Sequence, residues 1–108
     1  MSKVENLNEI SFEQQVLLSS DNCLVEFGAE WCGPCKQQLP ILENLANKYE
    51  QIKFYKVNID QAPGAVSKFN IKSVPLLCLF SNGQLLFSKS GLTNQVNLEK
   101  LIKEKFSL

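Results

Sequence analysis

Along this chain the spacing of apolar residues switches repeatedly between the period of a strand and the period of a helix, and that switching decides which architectures are open to it. Cys23 to Ala29 is an apolar run broken only by Glu26 and reads as a buried strand. Beyond it Cys35, Leu39, Leu42, Ala46 and Tyr49 recur at helical steps, predicting a helix over 34–49 whose buried stripe begins at Cys35. Pro34 suits the first helical position, and Pro40 should kink the helix near its second turn. Lys53 to Ile59 alternates as a strand does, and a short helix over 63–69 ends near Asn70.

Leu76 to Phe80 and Gln84 to Ser88 read as two strands joined by Ser81-Asn82-Gly83, with the Asn-Gly step marking a hairpin. Gly91 breaks the second strand. The last helix, over 94–106, has Asn94 as its N-cap and buries Leu98, Leu101, Ile102 and Phe106. Toward the N-terminus Val4, Leu7 and Ile10 leave a weak strand signal. A helix over 11–19 follows, opened by a capping box of Ser11 with Gln14. Strands alternating with helices imply an α/β fold with a parallel sheet covered on both faces, and the terminal hairpin adds antiparallel edge strands. A chain of 108 residues is long enough to bury a core as one domain.

Eleven basic and eleven acidic residues cancel and are interspersed, so nucleic acid and anionic membrane are not expected partners. Glu5, Glu9 and Glu13 interrupt the first residues, which do not read as a secretory signal, and the apolar run Leu76 to Phe80 is too short to span a bilayer. A cytoplasmic location is the resulting expectation. In a reducing compartment a close cysteine pair is more often catalytic or metal-binding than a staple.

Chemistry is concentrated in Trp31-Cys32-Gly33-Pro34-Cys35-Lys36. With Pro34 opening the helix, Cys32 lies just outside it, facing unpaired amide N–H groups and the positive end of the dipole, which favour a thiolate. Cys32 is therefore the expected nucleophile, exposed to attack. Cys35, one turn in, is shielded and is the expected resolving thiol. The chain has no histidine, which removes Cys-His and Ser-His-Asp schemes, and no second cysteine pair to complete a zinc site. Cys23 and Cys78 read as small buried apolar residues, with a regulatory thiol as the other reading.

These residues, together with Ala29-Glu30, Pro40, Asn58-Ile59-Asp60, Val74-Pro75, Asn82-Gly83 and Gly91, resemble the thioredoxin family over nearly the whole chain. The resemblance implies the thioredoxin fold, a five-stranded mixed central sheet flanked by four helices, spanning residues 1–108 as a single domain. It implies a monomeric protein-disulfide reductase in which Cys32 attacks a partner's disulfide and Cys35 resolves the mixed disulfide. No cofactor would be bound, and NADPH would act indirectly through thioredoxin reductase. Implied clients are disulfide-containing proteins such as peroxiredoxins, ribonucleotide reductase and methionine sulfoxide reductase.

Glu26 stands where the family usually has Asp, and is the candidate proton acceptor for Cys35. The other reading is a carboxylate tilted to an edge and solvated. Lys56 resembles the lysine that pairs with this acid, or is a solvated strand lysine. By resemblance Val74–Pro75 is cis, and Trp31, Gly33, Pro34, Val74, Pro75 and Gly91 form a docking surface for an extended client segment.

Several positions depart from the family pattern. Gly28 replaces a large aromatic beneath the active-site loop, Leu76 replaces the usual Thr, and Gln37 and Gln38 occupy what is read as the exposed start of the helix. Two rivals remain: a thioredoxin-like oxidant or isomerase, and a binding module whose thiols are incidental.

Overall fold

In the computed structural model, which describes residues 2–108, five strands form one mixed sheet in the order β1-β3-β2-β4-β5. They are β1 Val4–Leu7, β2 Asn22–Gly28, β3 Ile52–Asn58, β4 Leu76–Ser81 and β5 Gln84–Ser90. β2 and β1 run parallel to β3, whereas β4 is antiparallel to β2 and β5 antiparallel to β4. β2 is thus the central strand. The expectation that both hairpin strands lie at the edge is corrected by this order, since β4 is interior and only β5 is an edge.

The helices are α1 Glu9–Phe12, which continues as a π-helical turn Glu13–Leu17, then α2 Gly33–Lys48, α3 Pro63–Lys68 and α4 Gln95–Lys105, with a 3-10 turn at Ile59–Gln61. None of the described helices is long and apolar enough to cross a membrane. The first helix begins two residues earlier than expected, and its capping box is Asn8 with Ser11. The Ser11 N–H donates to Asn8 Oδ1 and the Asn8 N–H donates to Ser11 Oγ, each at 2.9 Å. The Ser11 hydroxyl thus does what a Glu or Gln does at that position. Glu9 then caps α3 from outside it, accepting from the Gly64 and Ala65 N–H groups, where Ala62 offers no side-chain cap.

Period-two alternation sends the two sides of each strand into separate cores. Leu24 of β2, Phe54 of β3 and Leu77 and Leu79 of β4 pack against Leu42, Leu45 and Ala46 of α2 and Leu98 and Ile102 of α4. Val25 and Phe27, Tyr55 and Val57, and Cys78 and Phe80 face Phe12, Val16 and Ala65 instead. There Phe12, Phe27, Phe69 and Phe80 meet edge to face, with ring centroids 5.4 to 6.1 Å apart. Glu26 and Gly28, two and four residues after Leu24, therefore point to the α2 side of the sheet. Along α2 the buried stripe is Cys35, Gln38, Leu42, Leu45 and Ala46, with Leu39 only half-buried. Pro40 lies inside the continuous helix on its exposed side.

The hairpin turn is Asn82-Gly83, with φ of 51° and 75°. Both residues being left-handed matches a turn whose twist agrees with that of the strands it joins. A Cβ on Gly83 would stand 2.1 Å from the Leu17 carbonyl oxygen, so the turn is seated directly on the end of the π-helical turn. Replacing Gly83 by Ala combines a left-handed strain with a backbone clash. Gly83→Ala should lower stability by at least about 1 kcal/mol and the melting temperature by about 4–8 °C or more, measured by thermal unfolding. An unchanged melting temperature would refute this account of the turn.

Candidate active site

Helix α2 starts directly after the central strand, so its first turn lies at the C-terminal end of β2. Cys32 is the N-cap: its backbone is extended, and its Sγ accepts the Cys35 N–H at 3.1 Å. Gly33 and Pro34 are then the first two helical residues, both exposed, one residue earlier than the sequence suggests. A sulfur at this point receives an N–H that has no intrahelical partner and lies at the positive end of the dipole, which stabilises a thiolate.

A disulfide joins Cys32 and Cys35, whose Cα atoms are 5.3 Å apart. In this oxidised form the two are equally buried, each 4% exposed. The expected contrast between an open attacker and a shielded resolver is therefore not one of area. What separates the two sulfurs is position. Cys32 caps the helix beside exposed Trp31 and Gly33, while Cys35 points back toward the sheet, against Gly28.

A Cβ on Gly28 would lie 3.2 Å from Cys35 Sγ and 3.4 Å from Glu26 Oε1. The glycine therefore stands between the thiol and the carboxylate, and leaves the space there open where a larger side chain would fill it. That space is part of a cleft of about 340 Å³ lined by Glu26, Gly28, Cys35, Lys36, Lys56 and Asn58, among others. Glu26 is 3% exposed, which excludes the solvated-edge reading, and its Oε2 has no hydrogen-bond partner. Burial pushes the carboxyl up from 4.5 to about 7, and the neighbouring Lys56 charge draws it partly back. Lys56 is the residue directly beside Glu26 in β3, but no ion pair closes between them among the described residues. It acts on the acid through its field alone. A carboxyl of this kind is part-protonated at neutral pH and can both take and return a proton.

Val74–Pro75 is a cis peptide, and Val74 packs against Ala29, Cys32 and Cys35. Pro75 is buried, and its carbonyl accepts the Gly91 N–H at 2.9 Å, so Val74, Pro75 and Gly91 are brought together beside the disulfide. Trp31, next to Cys32 in the chain, is 73% exposed. The thioredoxin family model matches residues 3–104. This chain belongs to the thioredoxin family.

Thioredoxins among its relatives include that of Buchnera aphidicola subsp. Acyrthosiphon pisum, 36% identical over 108 residues, 99% of this chain and all of the relative. The thioredoxin of Rickettsia typhi is 38% identical over 96 residues, 88% of this chain and 91% of the relative. A chloroplastic M-type thioredoxin of Spinacia oleracea is 36% identical over 108 residues, 99% of this chain and 60% of the relative. The chain is accordingly a thiol-disulfide oxidoreductase with a Cys32–Cys35 pair in a thioredoxin fold.

The other two cysteines are fully buried and unpaired. Burial raises the Cys23 thiol to about 11, with Asp21 adding to it, and the Cys78 thiol to about 12. Both stay protonated and packed, as small apolar residues do. Among the described residues no three His, Cys, Asp or Glu side chains gather as a metal site requires.

One residue lies on the opposite side of its helix from where the sequence put it. Gln38, expected at the exposed start of α2, is fully buried. The signal that could have found it is its spacing: it is one turn beyond Cys35 and four residues before Leu42, both on the buried stripe.

Glu26 has a measurable consequence for stability. Its folded-state value lies above its unfolded one, so the native state binds the extra proton between pH 4.5 and about 7. Stability should fall as pH rises through that window and stay lower above it. A rise of this size corresponds to at most about 3 kcal/mol. Glu26→Gln should flatten that part of the profile and be more stable than the parent at pH 8, but not at pH 4, in denaturant unfolding at each pH. Parallel profiles for the two proteins would contradict it.

Proposed function

We propose that the protein is a protein-disulfide reductase in which the Cys32–Cys35 pair exchanges electrons with disulfides of client proteins and is recycled by thioredoxin reductase. Residues 1–108 act as a single, monomeric domain. The observation that carries this reading is the division of labour around α2: one sulfur at the helix cap, the other turned toward a buried acid across an open cleft.

In the reduced protein the Cys32 thiolate attacks one sulfur of the client disulfide. A Cys32–client bond forms, and the client's other sulfur leaves as a thiolate that takes up a proton. Cys35 passes its proton to the Glu26 carboxylate and attacks Cys32 Sγ. The Cys32–Cys35 bond closes, the client's remaining sulfur leaves, and two electrons have moved to the client. Lys56 keeps the acid from rising further, and Gly28 keeps the path between acid and thiol clear.

Trp31, Gly33, Pro34, Val74, Pro75 and Gly91 form the docking surface, with the Val74 backbone pairing with an extended client segment. The electrons come from NADPH through the flavin of the reductase, with no cofactor bound to this chain. Clients of the peroxiredoxin, ribonucleotide reductase and methionine sulfoxide reductase kinds fit this chemistry. A cytoplasmic location accompanies the reading, since a close cysteine pair in a reducing compartment is more often catalytic than structural.

The test is NADPH-coupled reduction of insulin disulfides by the native protein and by Cys32→Ser, with thioredoxin reductase and, separately, with dithiothreitol as donor. The native protein should turn over, and Cys32→Ser should lose all activity above background. Equal activity in the two, or none in either with both donors, would overturn the reading. Cys35→Ser should instead accumulate a client adduct through Cys32, seen as a mass increase that dithiothreitol removes. Failure to trap any adduct would argue against Cys35 as the resolving thiol.

A further inference from the structure

Gln38 is 0% exposed, one turn along α2 from Cys35. A buried amide is costly unless its N–H and C=O are both paired. Here both go to the same residue: Gln38 Nε2 donates to the Thr93 carbonyl oxygen, and the Thr93 N–H donates to Gln38 Oε1, each at 2.9 Å. Two residues of adjacent antiparallel strands exchange bonds in this reciprocal way. A side chain takes the place of one strand.

Thr93 is 2% exposed and belongs to the segment between β5 and α4. Two residues earlier Gly91, at φ 88°, donates its N–H to Pro75. A continuous line of bonds and covalent links thus runs from the helix carrying Cys35, through Gln38, Thr93 and Gly91, to Pro75 and Val74. An apolar side chain at position 38 could fill the same space but would leave both Thr93 backbone groups buried without these partners.

We infer that Gln38 is a positioning residue that holds the Gly91 and Val74 docking edge at a fixed distance from the cysteine pair, and so tunes the protein for extended peptide clients over small disulfides. Gln38 touches no client itself. This inference rests on the reading of Val74 and Gly91 as a docking edge. Its effect belongs to association with a polypeptide, because a small disulfide spans too little to engage the Val74 and Gly91 edge.

The decisive comparison is Gln38→Met, similar in size but unable to hold Thr93, against the native protein and against Trp31→Ala as a probe of docking in general. Each is assayed with insulin and with 5,5′-dithiobis(2-nitrobenzoate). Gln38→Met should raise KM for insulin roughly fivefold, the effect of about one net hydrogen bond between a displaced docking edge and the client segment, while kcat changes by less than about twofold. The ratio of kcat/KM for insulin to that for the small disulfide should fall by a similar factor. If both substrates suffer equally, or KM for insulin is unchanged in a folded variant, Gln38 has no positioning role. If Trp31→Ala raises KM and Gln38→Met does not, only this inference fails. If neither raises it, the docking surface fails too. Amide exchange supplies a readout independent of the variant's folding: the native Thr93 N–H should exchange orders of magnitude more slowly than an open amide, and exchange at the unprotected rate would overturn the inference.

Discussion

Everything at the active end of this molecule depends on how α2 is laid across the sheet. The helix begins immediately after the central strand and buries Leu42, Leu45 and Ala46 over Leu24, Phe54 and Leu77. That contact fixes the rotation of the helix about its own axis. Cys32 becomes the cap, Cys35 turns inward toward Gly28, and Gln38 turns inward toward Thr93. A rotation of even one residue's worth would move each of these side chains off its partner, since successive positions on a helix differ by about 100°. The redox pair is thus held by a hydrophobic contact it takes no part in.

The same face of the sheet carries an acid in a place where acids are expensive. Glu26 is in the middle of the central strand, beside Lys56 in β3 and Leu77 in β4, with its carboxyl buried and one oxygen unpartnered. Its longer side chain relative to the Asp usual in the family, and the missing side chain at Gly28, act in the same direction. The acid reaches further, and the space between it and Cys35 is left open as part of a cleft. Even a Cβ at position 28 would press on both the thiol and the acid.

Second-layer contacts then tie the site to the rest of the fold. Glu9 of α1 caps α3, the Asn82-Gly83 turn rests on Leu17, and Gln38 bonds Thr93 across from α2 to the segment before α4. Each joins segments far apart in sequence; the Glu9 and Gln38 contacts do so by pairing backbone groups that would otherwise lack these partners, and the turn does so by close packing of backbone on backbone. The Glu9 contact helps to explain why α3 persists at only 6 residues, where an isolated helix of that length would not form.

The strands, the main helices and the identity of the cysteine pair were legible because each follows from local rules. Period two or 3.6 marks the elements, Asn-Gly the hairpin, Asn94 a cap, and two thiols three residues apart a bond that can close. Boundaries shifted by a residue or two where propensity is flat, and the Asn8 cap was hidden because a serine hydroxyl filled the role expected of Gln14. The order β1-β3-β2-β4-β5 follows from no local pattern, and so neither does the interior place of β4 or the register setting Lys56 beside Glu26. Gln38 shows the limit most clearly. Its polarity suggested an outward position, because sequence counts the cost of burying an amide but cannot see a distant backbone that removes the cost. The sequence by itself determined the chemistry this chain can perform, through two sulfurs and the helix start between them. Only the tertiary structure decided what surrounds that chemistry, because burial, pairing and the shift of a proton's affinity depend on atoms brought together across the fold.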